Sequence, residues 1–159
     1  MPFRLEPTDE SLLKTARYGL DLSHDFDGTP EKVHSSFLGF VGDPPWSPGF
    51  VGLDWWTEPR RLDGAVMDEL YAFMAMRVHV LKHEPGARTV AYVSHWSLPL
   101  ATRMVQVIET TRVESGKTRL RYRVAYDSHR VFSPMIKPVS WGFKRWFELS
   151  FEGLERYVS

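Results

Sequence analysis

The sequence predicts an α+β domain in which one antiparallel sheet with an apolar face is covered by a long C-terminal helix. Three observations carry this. "YGLDLSHDF" and "TRLRYRVAY" alternate apolar and polar residues with the period of a half-buried strand. Turn signals, "EPG" and "ESGK", separate the later alternating segments, as antiparallel hairpins require. Near the C-terminus Ile136, Val139, Ser140, Phe143, Phe147, Phe151, Leu154 and Val158 recur at helical spacing. A sheet with one apolar face needs a cover, and this stripe supplies it.

Taken in order, residues 1–16 read as a polar N-terminal leader and 17–159 as a single domain. Within the leader, "PTDESLLKTA" has room for one or two helical turns capped by Thr8 or Asp9. In the first strand Tyr18, Leu20, Leu22, His24 and Phe26 share one face. A short helix follows, with Thr29 as N-cap, Pro30 at its first position and Glu31 in its first turn. Val33, Phe37 and Phe40 keep its spacing, and Gly42 and Pro44 end it. "DPPWSPGFVGLDWW" comes next, a loop too aromatic to sit in water without a reason. From Leu62 to His83 two readings stand. "MDELYAFMAMRVHVLKHE" is rich in helix formers, yet Met76, Val78 and Val80 alternate with Arg77, His79 and Leu81.

"ARTVAYVSHW" and "ATRMVQVIETT" read as strands. In "TRLRYRVAY", Thr118, Leu120, Tyr122, Val124 and Tyr126 face in while Arg119, Arg121 and Arg123 face water. Pro134 and Pro138 mark the start of the last helix, with Lys144 to Glu148 and Glu152 to Arg156 as pairs on its wet side. Gly142 interrupts it beside the apolar stripe, admitting a ligand or a close-packed strand.

Composition narrows the function. The 159 residues are 43% hydrophobic and 14% aromatic, and their formal net charge is zero, so nothing global steers the chain toward nucleic acid. Without cysteine there is no disulfide, thiolate catalysis or cysteine-ligated zinc, which fits a reducing cytoplasm. No apolar run reaches the roughly 20 residues of a membrane span, and the first residues lack a signal-peptide core. His79 and His83 would share a metal on a helix, but on a strand they lie about 13 Å apart, so no metal is expected. Ser94 and His95 are neighbours whose side chains should point to opposite faces of a strand. Neither a nucleophile elbow nor a phosphate loop is present, so no nucleotide cofactor is expected. Polar groups on apolar faces are more informative: Gln106 beside Met104 and Ile108, His24 beside Leu22 and Phe26, and Tyr122 and Tyr126 beside Leu120 and Val124. Each needs a partner, from the protein or from a ligand.

Several passages together resemble the SRPBCC superfamily, the helix-grip fold of steroid and lipid transfer domains, pollen-allergen-like proteins and polyketide cyclases. "HDFDGTPEKVHSSFL" is similar to its first strand and helix, "MRVHVLKHEPGARTVAYV" and "ESGKTRLRYRV" to its hairpins, and "FKRWFELSFEGLERYV" to its last helix. The resemblance spans residues 18–158. It implies a curved antiparallel sheet wrapped around the C-terminal helix, two short helices after the first strand, and an apolar cavity between. It also favours two strands over 64–83, although "YAFMAM" holds no turn-forming residue, and it turns the tryptophans of the aromatic loop inward as a plug.

The implied function is binding of a lipid, sterol or polyketide-like molecule in that cavity. The expected lining is Trp55, Trp56, Tyr71, Tyr92, Met104, Gln106, Tyr122, Tyr126, Ile136, Ser140, Phe143 and Phe147. An alternative is a cyclase or aromatase using the same cavity without metal or nucleotide, with His24, His95 and Tyr122 as candidate catalytic groups. A protein-interaction module such as a co-chaperone is the third reading, and it requires a large exposed apolar patch.

Overall fold

In a computed structural model of the protein, residues 2–38, 46–58, 63–114 and 116–158 are described. The strands are β1 (Phe3–Arg4), β2 (Tyr18–Phe26), β3 (Phe50–Trp55), β4 (Val66–Tyr71), β5 (Ala75–Glu84), β6 (Arg88–Trp96), β7 (Arg103–Arg112) and β8 (Thr118–Asp127). The helices are α1 (Leu12–Thr15), α2 (Pro30–Phe37) and α3 (Ser133–Val158). All pairings are antiparallel, in the order β2-β8-β7-β6-β5-β4-β3, and the curved sheet packs its apolar face on α3. This is the expected α+β helix-grip arrangement.

The stretch over 64–83 is two strands, not a helix. Tyr71 and Met74 exchange backbone hydrogen bonds across the two-residue loop Ala72–Phe73. No glycine or asparagine makes this turn; tertiary contacts hold it. Ala72 N–H donates to the Gly49 carbonyl at 2.7 Å, and the Phe73 ring lies edge-on to Trp146 at 5.7 Å. Packing has overridden helix propensity.

Helix α2 is capped as its sequence dictates, Thr29 Oγ1 accepting from Lys32 N–H at 3.2 Å with Pro30 in the first turn. Phe40, Gly42 and Pro44, expected to continue and end it, lie outside the described residues. In α3, Pro138 lies inside the helix, so the carbonyl of Pro134 lacks its usual intrahelical donor. Glu148 takes its hydrogen bond from Arg145 instead of Lys144, and Arg156 donates to the Glu152 carbonyl.

The expected leader is built into the sheet. Strand β1 pairs with His95 and Trp96 of β6 where β7 has diverged, and Leu5 is buried against the core. Cap Ser11, not Thr8 or Asp9, precedes α1, while Asp9 accepts from the Ser11 N–H. Leu12 then buries on the outer face of the sheet with Val90, Val105, Val107 and Ala125. On the same outer side the β8 arginines are paired: Arg119 with Asp25, Arg121 with Asp21, Arg123 with Glu109. That face is ionic, as its alternation predicts.

Candidate functional site

Between sheet and α3 the interior is divided into two small chambers with a common wall of Met76, Gln106, Tyr122 and Phe147. The first, of about 60 Å³, is lined almost wholly by apolar groups: Leu20, Met74, Trp96, Leu100, Met104, Val124, Tyr126, Ile136, Val139, Ser140 and Phe143 complete it. The second, of about 50 Å³, lies toward the aromatic loop and is lined by Phe37, Leu38, Trp46, Ser47, Phe50, Leu53, Glu69, Tyr71, Ile108 and Trp146. A buried water needs about 10–15 Å³ by this measure, so each chamber has room for a few waters. Outside, an apolar groove runs along Phe73, Leu98, Pro99, Phe132, Met135 and Gly142 and shares Leu100, Val139 and Phe143 with the first chamber.

The polar atoms are few and mostly paired. Tyr122 Oη donates to Gln106 Oε1 at 3.0 Å, crossing from β8 to β7. Tyr126 Oη and Ser140 Oγ are 2.8 Å apart, tying β8 to α3. The indole N–H of Trp96 is buried without a partner among the described residues. Such an orphan donor suits an acceptor on a ligand or an internal water. Burial raises the Tyr126 hydroxyl pKa and pushes that of Tyr122 well above the usual phenol value. Both phenols are hydrogen-bond donors at neutral pH.

Glu69 is the group that sequence reading missed. It stands on β4 between Met67 and Tyr71 in the alternation, so the strand that buries those residues also turns its carboxyl inward. Burial raises its pKa to about 7, with the hydrogen bond from Tyr71 pulling the other way. Aromatic rings pack around the site: Tyr71 lies edge-on to Trp146 at 5.1 Å and to Phe50 at 5.5 Å, and Phe147 lies 4.6 Å from both Trp146 and Tyr122. Trp46 stacks on Phe37 and donates to the Ser36 carbonyl.

Of the expected lining residues, Met104, Gln106, Tyr122, Tyr126, Ile136, Ser140, Phe143 and Phe147 meet around the first chamber, and Tyr71 joins the second. Trp55 faces inward beside Leu53 and packs on the core, without reaching either chamber. Trp56 is a correction. It is 58% exposed, and the Arg77 guanidinium stacks on it at 3.6 Å, because the next residue on a strand points the other way. Tyr92 also faces outward, stacked on His79 at 4.7 Å. His24 lies against Phe26 and Phe151 with Glu155 3.3 Å away, and His95 is on the outer face, so Tyr122 alone of the catalytic candidates reaches the cavity. His79 and His83 take separate partners, Ser94 and Thr89.

Ser94 and His95 also correct the alternation. Their Oγ and Nδ1 are 3.1 Å apart. Arg77 pairs with His95 and Val78 with Val93, leaving Ser94 as the extra residue of a bulge. A bulge breaks strict alternation, so neighbours share a face.

No protein-family model and no curated protein matches the sequence. Solved structures do match in shape. A START superfamily protein from Mycobacterium smegmatis is 14% identical, with 88% of this chain and 96% of that one covered at a TM-score of 0.69. Ginseng major latex-like protein 151 from Panax ginseng is 12% identical over 89% and 97% of the two chains, at 0.67. A protein from Chromobacterium violaceum is 20% identical over 88% and 96%, at 0.64. With eight antiparallel strands among the described residues closed on a long C-terminal helix, the chain has the helix-grip fold that these solved structures share.

Proposed function

We propose that the protein binds a hydrophobic, ring-containing small molecule between the sheet and α3. The observation that carries this is a pair of apolar chambers in which a few fixed polar groups converge, the usual character of a small-molecule site. Buried apolar area supplies the affinity; Gln106, Tyr122 and the unpaired Trp96 N–H set the orientation. The chambers, of about 60 and 50 Å³, are smaller than the roughly 150 Å³ that takes a benzene ring, so a one-ring ligand enters only as their common wall moves, and a steroid skeleton requires α3 and the groove to part. The outer groove is separated from the first chamber by Leu100, Val139 and Phe143, and movement of these side chains is the way in.

Binding is favoured over cyclase chemistry because the expected histidines lie outside the cavity. Titration with neutral arenes, followed by quenching of tryptophan emission and by native mass spectrometry, tests the reading. Saturable binding that V139F weakens without lowering the melting temperature is the expected result. Unchanged emission and no bound mass with any arene would overturn it.

A further inference from the structure

We infer that the ligand is an amine, its ammonium group held by Glu69 inside the aromatic walls of the second chamber while its apolar body occupies the first. The inference rests on the binding function proposed above and specifies the ligand's charge.

The chamber sets one carboxyl among seven aromatic rings, those of Phe37, Trp46, Phe50, Tyr71, Tyr122, Trp146 and Phe147. Aromatic rings attract a cation placed over their faces, so such an enclosure suits a cation better than an anion. Glu69 supplies the full charge. Among the described residues no lysine, arginine or histidine lines the chamber, and Glu69 has no ion-pair partner. Two other strand-borne carboxylates of low exposure are matched by arginine, Asp68 by Arg77 and Glu109 by Arg88 and Arg123. A carboxylate placed in an apolar interior without a counter-charge is costly to the folded chain, and a bound cation removes that cost. Tyr71 stands two residues beyond Glu69 on the same face of β4 and lines the chamber beside it. Only Met76, Gln106, Tyr122 and Phe147 separate the two chambers, so a ligand that reaches from the carboxyl to the apolar lining of the first has to displace part of that wall.

The test compares 2-phenylethylamine, its neutral counterpart 2-phenylethanol and the anion 3-phenylpropionate, titrated by calorimetry into wild-type protein and into E69Q. The inference predicts that wild type prefers the amine over the alcohol by about tenfold, with the anion weakest. E69Q should lose that preference, its ratio of amine to alcohol affinity falling to about one. The titratable groups facing Glu69 from the packed elements are Tyr71 on β4 and Tyr122 on β8, both protonated through this range. Amine affinity in wild type should therefore rise between pH 5.5 and 8 as Glu69 ionises, and alcohol affinity should not. Equal binding of amine and alcohol by wild type, or a preference that survives in E69Q, overturns the inference and leaves the binding function standing. No binding of any of the three overturns both.

Discussion

Gln106 and Tyr122 show how single residues in this cavity depend on one another. Their hydrogen bond is buried, and each is the other's recorded partner. Y122F removes the donor and leaves the Gln106 carbonyl oxygen unsatisfied, which should cost about 1–3 kcal/mol in urea unfolding. Y122F combined with Q106M removes both polar ends and should recover most of that loss, since apolar replacement of both partners is close to neutral. A double variant no more stable than Y122F would show that the phenol acts through something other than this bond. Both residues were legible in the sequence as polar groups on apolar strand faces. Glu69 obeyed the same rule, beside Met67 and Tyr71, but only once "MDELY" is known to be a strand; on a helix those three residues do not share a face. Ser94 was misplaced for a different reason: a bulge is set by pairing partners distant in the chain.

At the scale of elements, α3 contains two glycines with opposite meanings. An added Cβ at Gly142 meets nothing within 4 Å, because this position faces the open groove instead of a ligand-filled chamber or a packed strand. An added Cβ at Gly153 falls 2.3 Å from the Trp46 carbonyl oxygen and 3.1 Å from its carbon. The backbone of the aromatic loop crosses the helix there, and only glycine admits it. G142A should stabilise the protein by about 1 kcal/mol, raising Tm by about 3 °C. G153A gains the same helix propensity but must displace a backbone segment, and a net loss of about 1–3 kcal/mol is expected. Thermal melts of the two variants check this, and equal shifts would refute the crossing. Strands β2 and β8 and the capped α2 could be located from local pattern, since alternation, Thr29 and Pro30 act within a few residues. The Ala72–Phe73 turn could not, because what fixes it is Gly49 and Trp146.

Across the whole molecule, two titratable groups, His34 on α2 and Glu69 on β4, oppose each other in pH. His34, on α2, accepts the Gly86 N–H at Nδ1 and meets Thr89 Oγ1 at Nε2, so a proton on Nδ1 would break the first contact. Burial, with His83 stacked 5.6 Å away, lowers its pKa to about 4. The unfolded chain then binds more protons between about pH 4 and 6.5, so this histidine makes stability rise with pH across that window. Glu69 does the reverse. With its folded pKa at about 7, the native state holds the extra proton between about pH 4.5 and 7, and stability falls as pH rises. At about 1.4 kcal/mol per pH unit, each is worth about 3 kcal/mol at most. His79 and His95, lowered first by burial and then by Arg77, add to the sign of His34. Asp21 and Asp25, held low by Arg121 and Arg119, act below about pH 4, outside the window. The wild-type protein should therefore show a shallow dependence from pH 4.5 to 7, which its separate variants unmask. E69Q should lose stability steeply as pH falls from 6.5 to 4, while H34N should be flat or lose stability as pH rises from 4.5 to 7. Urea midpoints at half-unit pH intervals measure this, and parallel profiles for the two variants would show that the opposing pair does not exist. A bound amine should lower the Glu69 pKa and remove its share, so ligand-saturated wild type should acquire the steep acid dependence of E69Q. Binding and stability are thus linked through one carboxyl, and the pH profile of the folded chain reports whether the second chamber holds a cation.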